Sequence, residues 1–234
     1  MQEQTLAPNK SIAFVVFVKT PGLSPVKTRL AKGLGKELAE EFYKLSVLSV
    51  KEIGEELKKQ MQTGKLEVLW AVAEEEGLDA APGARNQCLF QGEGPLGERL
   101  ANIYEQLKLQ YDLVFFVGGD CPQIRVSDIL TGVNYLQDKP CFVLGPAEDG
   151  GFWIWGGSHK VDKELWTQVS YSSASTCHEL REKLTQHADC FELARYTDVD
   201  HAEDLKKLLN FFDKQEVLLP AQQTLLTWLR RNAR

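Results

Sequence analysis

The sequence lacks a long apolar run. Its first apolar stretch, from Ile12 to Val18, falls far short of the ~20 residues that a membrane helix needs, so no membrane partner is expected. Met1-Gln2-Glu3-Gln4 lacks the basic region and apolar core of a secretory signal. Cysteine is sparse: Cys88, Cys121, Cys141, Cys177 and Cys190 include no C-x-x-C pair, which argues against a disulfide framework and against zinc. Reduced thiols and no leader make a cytoplasmic location the expectation. Excess positive charge is also missing. Lys plus Arg number 27 and Asp plus Glu 33, a net −6, so the basic face used in sequence-independent nucleic-acid binding is absent. His159, His178, His187 and His201 show no metal-ligand spacing, and neither a G-x-x-x-x-G-K-[ST] loop nor a G-x-S-x-G elbow occurs.

What remains is ordinary globular material: 234 residues, 43% hydrophobic and 26% charged. That length allows one large domain or two small ones. Ile12-Ala-Phe-Val-Val-Phe-Val18 predicts a strand buried on both faces, and Leu113-Val-Phe-Phe-Val117 a second. Shorter strands are expected at 65–72, 87–90, 141–144, 152–155 and 191–196. The pair 141–144 and 152–155 reads as hairpin-like because no helix intervenes. Helical periodicity predicts helices over 36–59, 97–109, 127–136, 176–187, 204–212 and 224–230. Thr176 and Glu179 have the spacing of a capping box, and Pro220 reads as a separator before the last helix. Trp228 and its neighbouring leucines suit core or dimer contacts, so a homodimer is admissible. Arg230, Arg231 and Arg234 suit a helix C-terminus. Strands alternating with helices imply an α/β fold with a mostly parallel sheet. We read one domain, with a core of about 11–210 and a helical tail over 211–234.

In such sheets ligands sit outside the carboxyl ends of the strands, so the chemistry is sought in those loops. Lys19-Thr-Pro-Gly-Leu-Ser-Pro-Val-Lys-Thr-Arg-Leu30 places Lys19, Lys27 and Arg29 on a proline-stiffened loop, suited to polyphosphate or else a solvated basic turn. Gly118-Gly-Asp-Cys-Pro122 puts Asp120 at the tip of a strand, where a carboxylate serves either Mg²⁺ or a turn. Gly145-Pro-Ala-Glu-Asp-Gly-Gly151 offers Glu148 and Asp149, and backbone N–H groups at Gly150 and Gly151, to a hydroxylated substrate; Asp-Gly is equally a hairpin signal. Asp198-Val-Asp200 presents two carboxylates on one side if extended, or a helix cap. Gly92-Glu-Gly-Pro-Leu-Gly97 matches G-x-G-x-x-G, but Pro95 and a short polar preceding strand argue against a dinucleotide site.

Five motifs together resemble the DUF2064 family of proposed nucleotide-dependent sugar transferases. They are Lys19-Thr-Pro-Gly … Val26-Lys-Thr-Arg-Leu30, Gln91-Gly … Leu96-Gly-Glu-Arg99, Gly119-Asp-Cys-Pro122, Gly145 to Gly151, and Asp198-Val-Asp … Glu203-Asp-Leu205. That family is itself similar to the guanylyltransferases that activate phospholactate or phosphoenolpyruvate for cofactor F420. The resemblance implies a GT-A-like, nucleotide-diphospho-sugar-transferase fold. It implies that Lys19, Lys27 and Arg29 wrap the nucleotide phosphates and that Asp120 and Asp200, with Asp198 as an additional candidate, hold Mg²⁺ or Mn²⁺. Arg99 and Glu148 to Gly151 would then border the acceptor or sugar. Lys27, Arg29 and Asp149 are the candidate catalytic groups. The partners expected are a nucleotide or nucleotide-sugar donor and a small-molecule acceptor. Glycosyl transfer leads; the alternatives are nucleotidyl transfer with release of pyrophosphate and non-catalytic nucleotide binding. Gly119 stands where relatives often carry Ser or Thr, and His201-Ala202 where they carry Thr-Pro.

Overall fold

The computed structural model describes residues 10–61 and 65–233. Met1 to Gln4, read above for a leader, and Arg234 lie outside them. Its elements, in chain order, are β1 (Ile12–Val18), α1 (Thr28–Leu34), α2 (Lys36–Gln60), β2 (Leu66–Val72), β3 (Cys88–Phe90), α3 (Leu96–Lys108), β4 (Leu113–Gly118), α4 (Val126–Asp138), β5 (Phe142–Pro146), β6 (Phe152–Gly157), α5 (Lys163–Thr167), α6 (Thr176–Thr185), β7 (Cys190–Glu192), α7 (Asp204–Asp213) and α8 (Pro220–Asn232).

The strands form one sheet of order β3-β2-β1-β4-β6-β5-β7. Every neighbouring pair is parallel except those of β6, which runs antiparallel to both β4 and β5. Alternation along β1 explains why it sits at the centre. Ile12, Phe14, Val16 and Val18 join the core beneath α2 and α4, while Ala13 and Val15 join the opposite core with α3 and α6. A third cluster packs Leu225, Trp228 and Leu229 of α8 against Phe42 of α2 and Leu30 of α1. The apolar face of the last helix is therefore spent within the chain. The strand order reverses between β1, whose successors run to β3, and β4, which starts the other half. The crevice at such a reversal is where ligands settle.

Local differences from the sequence reading have physical causes. α1 lies where a loop is expected, because it spans only two turns and buries a single side chain, Leu30. α5 is shorter still, and Trp166 anchors it. Pro220 opens α8 as its first residue rather than separating it, as suits a residue with no N–H to give. Pairing in β7 ends at Glu192, and only an isolated bridge, Ala147 to Tyr196, continues along that segment. Thr176 is the first residue of α6 and not its cap; its hydroxyl donates to Ser170 O at 2.6 Å. Glu179 instead accepts from the Ser170 N–H at 2.8 Å and from the Ser175 hydroxyl at 2.6 Å. Among the described residues no helix is long and apolar enough to cross a membrane.

Candidate functional site

A cleft of about 1020 Å³ opens at the carboxyl ends of β1 and β4. Its wall includes Lys19, Lys27, Arg29, Arg99, Asp120, Asp149 and Asp200, so five sequence segments far apart in the chain meet there. Glycines make the close approach feasible. A Cβ on Gly118 would lie 2.8 Å from Asp120 Oδ1, and one on Gly119 would lie 2.8 Å from Val18 Cγ1.

Lys27 is the pivot. It precedes α1 with φ 45° and ψ 45°, a left-handed conformation that costs a lysine free energy. Its side chain is only 6% exposed; Nζ lies 2.8 Å from Asp120 Oδ2 and 3.5 Å from Asp200 Oδ1. Burial lowers its pKa, but the charge and hydrogen bond of Asp120 and the fields of Asp200 and Asp198 outweigh burial and raise it. In return the Lys27 ammonium, against the opposing effect of burial, holds the Asp120 carboxyl below the usual range. Arg29 Nη1 donates to Asp200 Oδ2 at 2.9 Å. Lys19 is exposed in the same wall, its backbone N–H donating to Tyr43 Oη at 2.8 Å.

The carboxylates divide into two pairs of contacts. Asp120 and Asp200 flank Lys27. Asp198 instead meets Asp149 within hydrogen-bonding reach, and burial, then the Asp149 charge, pushes it up to about 8. The folded chain thus keeps a proton that the unfolded chain releases above about pH 4. This group therefore adds most stability at low pH and loses it as pH climbs from about 4 towards 8. In EDTA, Asp198→Asn is expected to flatten the fall in melting temperature across that window; parallel wild-type and variant profiles would contradict the assignment.

The remaining predicted residues fall out unevenly. Arg99 Nε donates to Gly94 O at 2.8 Å, which bends it over the cleft's edge. Glu148 is half exposed, 4.0 Å from Lys207, and is not part of the cleft wall. The Gly150 N–H turns inward to Ala147 O at 3.3 Å and the Gly151 N–H to Asp149 Oδ1 at 2.7 Å, so both donors are engaged within the turn. Gly150, at φ 91°, is needed for contact: a Cβ there would lie 2.2 Å from Ala174 O. Gly92 and Gly94 also take positive φ, and β3 is a sheet edge, unlike the central strand that feeds a dinucleotide loop. Gly97 permits helix packing, since its Cβ would lie 2.5 Å from Trp166 O.

Several positioning groups carried no sequence signal. Gln91 Nε2 donates to Val18 O at 3.3 Å and Ala71 O at 2.8 Å, tying the carboxyl ends of β1 and β2. Gln123 Nε2 donates to Thr197 O at 2.6 Å, which sets the Asp120 turn against the Asp198–Asp200 segment. Gln222 Nε2, from α8, donates to Pro122 O at 2.9 Å. Asp204 Oδ2 accepts from the N–H groups of Asp200 and His201 at 3.2 and 2.9 Å, leaving the Asp200 side chain free for Lys27 and Arg29.

The donor atoms suit a hard divalent cation in kind. Carboxylate oxygens of Asp120 and Asp200 face a cleft with room for phosphates, and Mg²⁺ commonly takes one or two carboxylates plus phosphate oxygens and water. Among the described residues no three His, Cys, Asp or Glu side chains form a complete cage. Lys27 supplies the positive charge between the two carboxylates.

The DUF2064 family, described as an uncharacterized protein conserved in bacteria, matches residues 56–173. No curated protein matches the chain. Among solved structures, a candidate nucleotide-diphospho-sugar transferase from Desulfovibrio desulfuricans G20 is similar with a TM-score of 0.78 at 23% identity, covering 94% of each chain. The 4-diphosphocytidyl-2C-methyl-D-erythritol synthase of Anaerococcus prevotii DSM 20548 is similar with a TM-score of 0.51 at 10% identity, over 95% of this chain and 99% of that one. These likenesses show the GT-A-like fold: a mixed, mostly parallel seven-stranded sheet flanked by helices.

Proposed function

This chain belongs to the DUF2064 family, and from that premise we propose that it is a transferase using a nucleotide donor and a divalent cation, moving a sugar from a nucleoside diphosphate to a small acceptor. The whole chain acts as one transferase unit in this reading. The observation that carries it is the meeting of Lys19, Lys27 and Arg29 with Asp120 and Asp200 in one cleft at the strand-order reversal.

Lys19, Lys27 and Arg29 bind the diphosphate through charge-assisted hydrogen bonds, each worth about 1.5–3 kcal/mol. Asp120 and Asp200 would hold Mg²⁺ or Mn²⁺, with Asp198 adjacent. When bound, the cation offsets negative charge that grows on the departing diphosphate. Asp149 faces the cleft beside Asp198, and the pair can accept an acceptor's proton. Arg99 closes the edge nearest the acceptor.

Nucleotidyl transfer is the second reading. Arg99 adds a fourth cation to the wall, more positive charge than a diphosphate requires. The discriminating experiment incubates the protein with Mn²⁺ and either UDP-, GDP- or dTDP-sugars or the matching triphosphates, and follows products by ³¹P NMR. Glycosyl transfer releases nucleoside diphosphate from the sugar nucleotides only. Pyrophosphate from a triphosphate would replace the first reading with the second, and no nucleotide turnover or binding under any metal condition would remove both.

A further inference from the structure

A second cavity opens from the cleft, and none of Lys19, Lys27, Arg29 and Arg99 lines it. It holds about 250 Å³. Five apolar or aromatic side chains of one core build much of its wall: Phe17, Leu100, Phe116, Phe152 and Tyr171. Apart from Ser172 and Asp149, which it shares with the cleft, the polar side chains at its rim are already engaged. Tyr171 Oη donates to Trp166 O at 3.0 Å, Thr176 Oγ1 to Ser170 O at 2.6 Å, and Ser173 Oγ pairs with Ser175 Oγ at 2.9 Å. The segment carrying these groups is pinned over the cavity, with the Cys177 N–H donating to Gly150 O at 2.8 Å and Ser172 held at φ 58°.

These observations select a type of occupant. A polyol pressed against rings and engaged hydroxyls would leave its own hydroxyls unpaired, which is penalised. An apolar body gains by the same burial. A dry apolar cavity of ~150 Å³ is known to take benzene, so this larger one has room for a ring with a short substituent, or a branched chain. Cavity and cleft share Gly118, Asp149, Ser172 and Ser173. An occupant seated among the rings therefore turns its polar end toward Asp149.

We propose that this cavity is the acceptor subsite, and that the acceptor is a small alcohol with an aromatic or branched aliphatic body and its hydroxyl at Asp149. This rests on the glycosyl-transfer reading above. In that reaction the acceptor oxygen bonds to the anomeric carbon as the bond from that carbon to the diphosphate oxygen breaks. The nucleoside diphosphate leaves with the bonding electron pair, and the hydroxyl proton passes to Asp149.

The test uses the full chain and four probes: benzyl alcohol, 3-methylbutan-1-ol, glycerol and glucose. Binding is read by saturation-transfer NMR and titration, with nucleoside diphosphates plus Mn²⁺ titrated separately. Both apolar alcohols are expected to bind and both polyols to fail, with NOEs from the benzyl protons to the Phe152 and Tyr171 rings in the wild-type protein. Phe152→Ala should weaken benzyl alcohol roughly tenfold by removing one ring wall, while Phe152→Leu keeps it within about threefold. Polyols that bind as well as the alcohols, absence of the Phe152 and Tyr171 NOEs, or benzyl alcohol indifferent to Phe152→Ala would each overturn the subsite. Nucleotide binding without alcohol binding overturns the subsite and leaves the donor site standing. Alcohol binding without nucleotide binding under any metal condition overturns the donor reading, and the acceptor role with it.

Discussion

Asp120→Asn is expected to destabilise the metal-free protein by about 2–3 kcal/mol, whereas Lys27→Met changes it by less than about 1 kcal/mol. The two substitutions break the same contact, 2.8 Å between Lys27 Nζ and Asp120 Oδ2, from opposite sides. Asparagine leaves the Lys27 ammonium, 6% exposed, with Asp200 at 3.5 Å and the more distant Asp198 to offset its charge. Removing one partner of a fully buried pair costs about 3–5 kcal/mol; the partial exposure of Asp120 and the help from Asp200 reduce that. Methionine removes the buried charge and keeps most of the side-chain volume. The carboxylates it leaves behind, 45% and 32% exposed, retain access to water. Urea titration in EDTA reads both values. Equal losses for the two variants would mean that the pair is simply a solvated surface contact. Both variants should also lose nucleoside diphosphate affinity, Lys27→Met by roughly 10–100-fold for one charge-assisted bond.

Phe116→Ala is expected to cost about 3–5 kcal/mol, lowering the melting temperature by roughly 6–20 °C. Phe116 is 2% exposed, at the centre of an aromatic cluster. Its ring lies 5.0 Å from Phe17, 5.4 Å from Trp155, 5.8 Å from Trp166 and 6.1 Å from Tyr104, centroid to centroid. Four neighbours of this size cannot collapse into the space that one ring vacates, so the cavity persists and the upper part of the range applies. Phe116 also lines the proposed acceptor subsite, and its loss should enlarge that cavity and weaken the apolar alcohols more than the nucleotide. A melting temperature within 3 °C of wild type, on the order of 1 kcal/mol here, would contradict this packing.

How much of this was legible in the residues differs between strands, loops and amides. β1 and β4 are apolar on both faces, a pattern that short polar segments do not mimic, and their bounds differ from the expected ones by one residue at most. α1 and α5 escape periodicity because two turns or fewer hold too few residues to define a face. The loops named from their charges, carrying Lys27, Arg29, Asp120 and Asp200, do converge on one cleft. Charge and glycine content marked them, but the order of contacts did not follow from either. That Lys27 bridges Asp120 and Asp200, and that Asp198 turns instead to Asp149, depends on a left-handed backbone at Lys27 and on Asp204 taking the N–H groups of residues 200 and 201. Gln91, Gln123 and Gln222 hold these segments in place through single amides, and an isolated glutamine in a sequence carries no mark of a long-range partner.

The measurement closest to the central claim is a calorimetric titration of nucleoside diphosphates into the wild-type protein and Asp120→Asn, with Mn²⁺ and with EDTA. If the cleft is a metal-assisted donor site, one diphosphate binds wild type with Mn²⁺, and EDTA and Asp120→Asn each weaken it by at least about tenfold, the equivalent of one charge-assisted contact. Diphosphate binding that is the same in EDTA and unchanged by Asp120→Asn would contradict the account, and would leave Lys27 and Arg29 as a simple anion-binding loop on a GT-A-like fold.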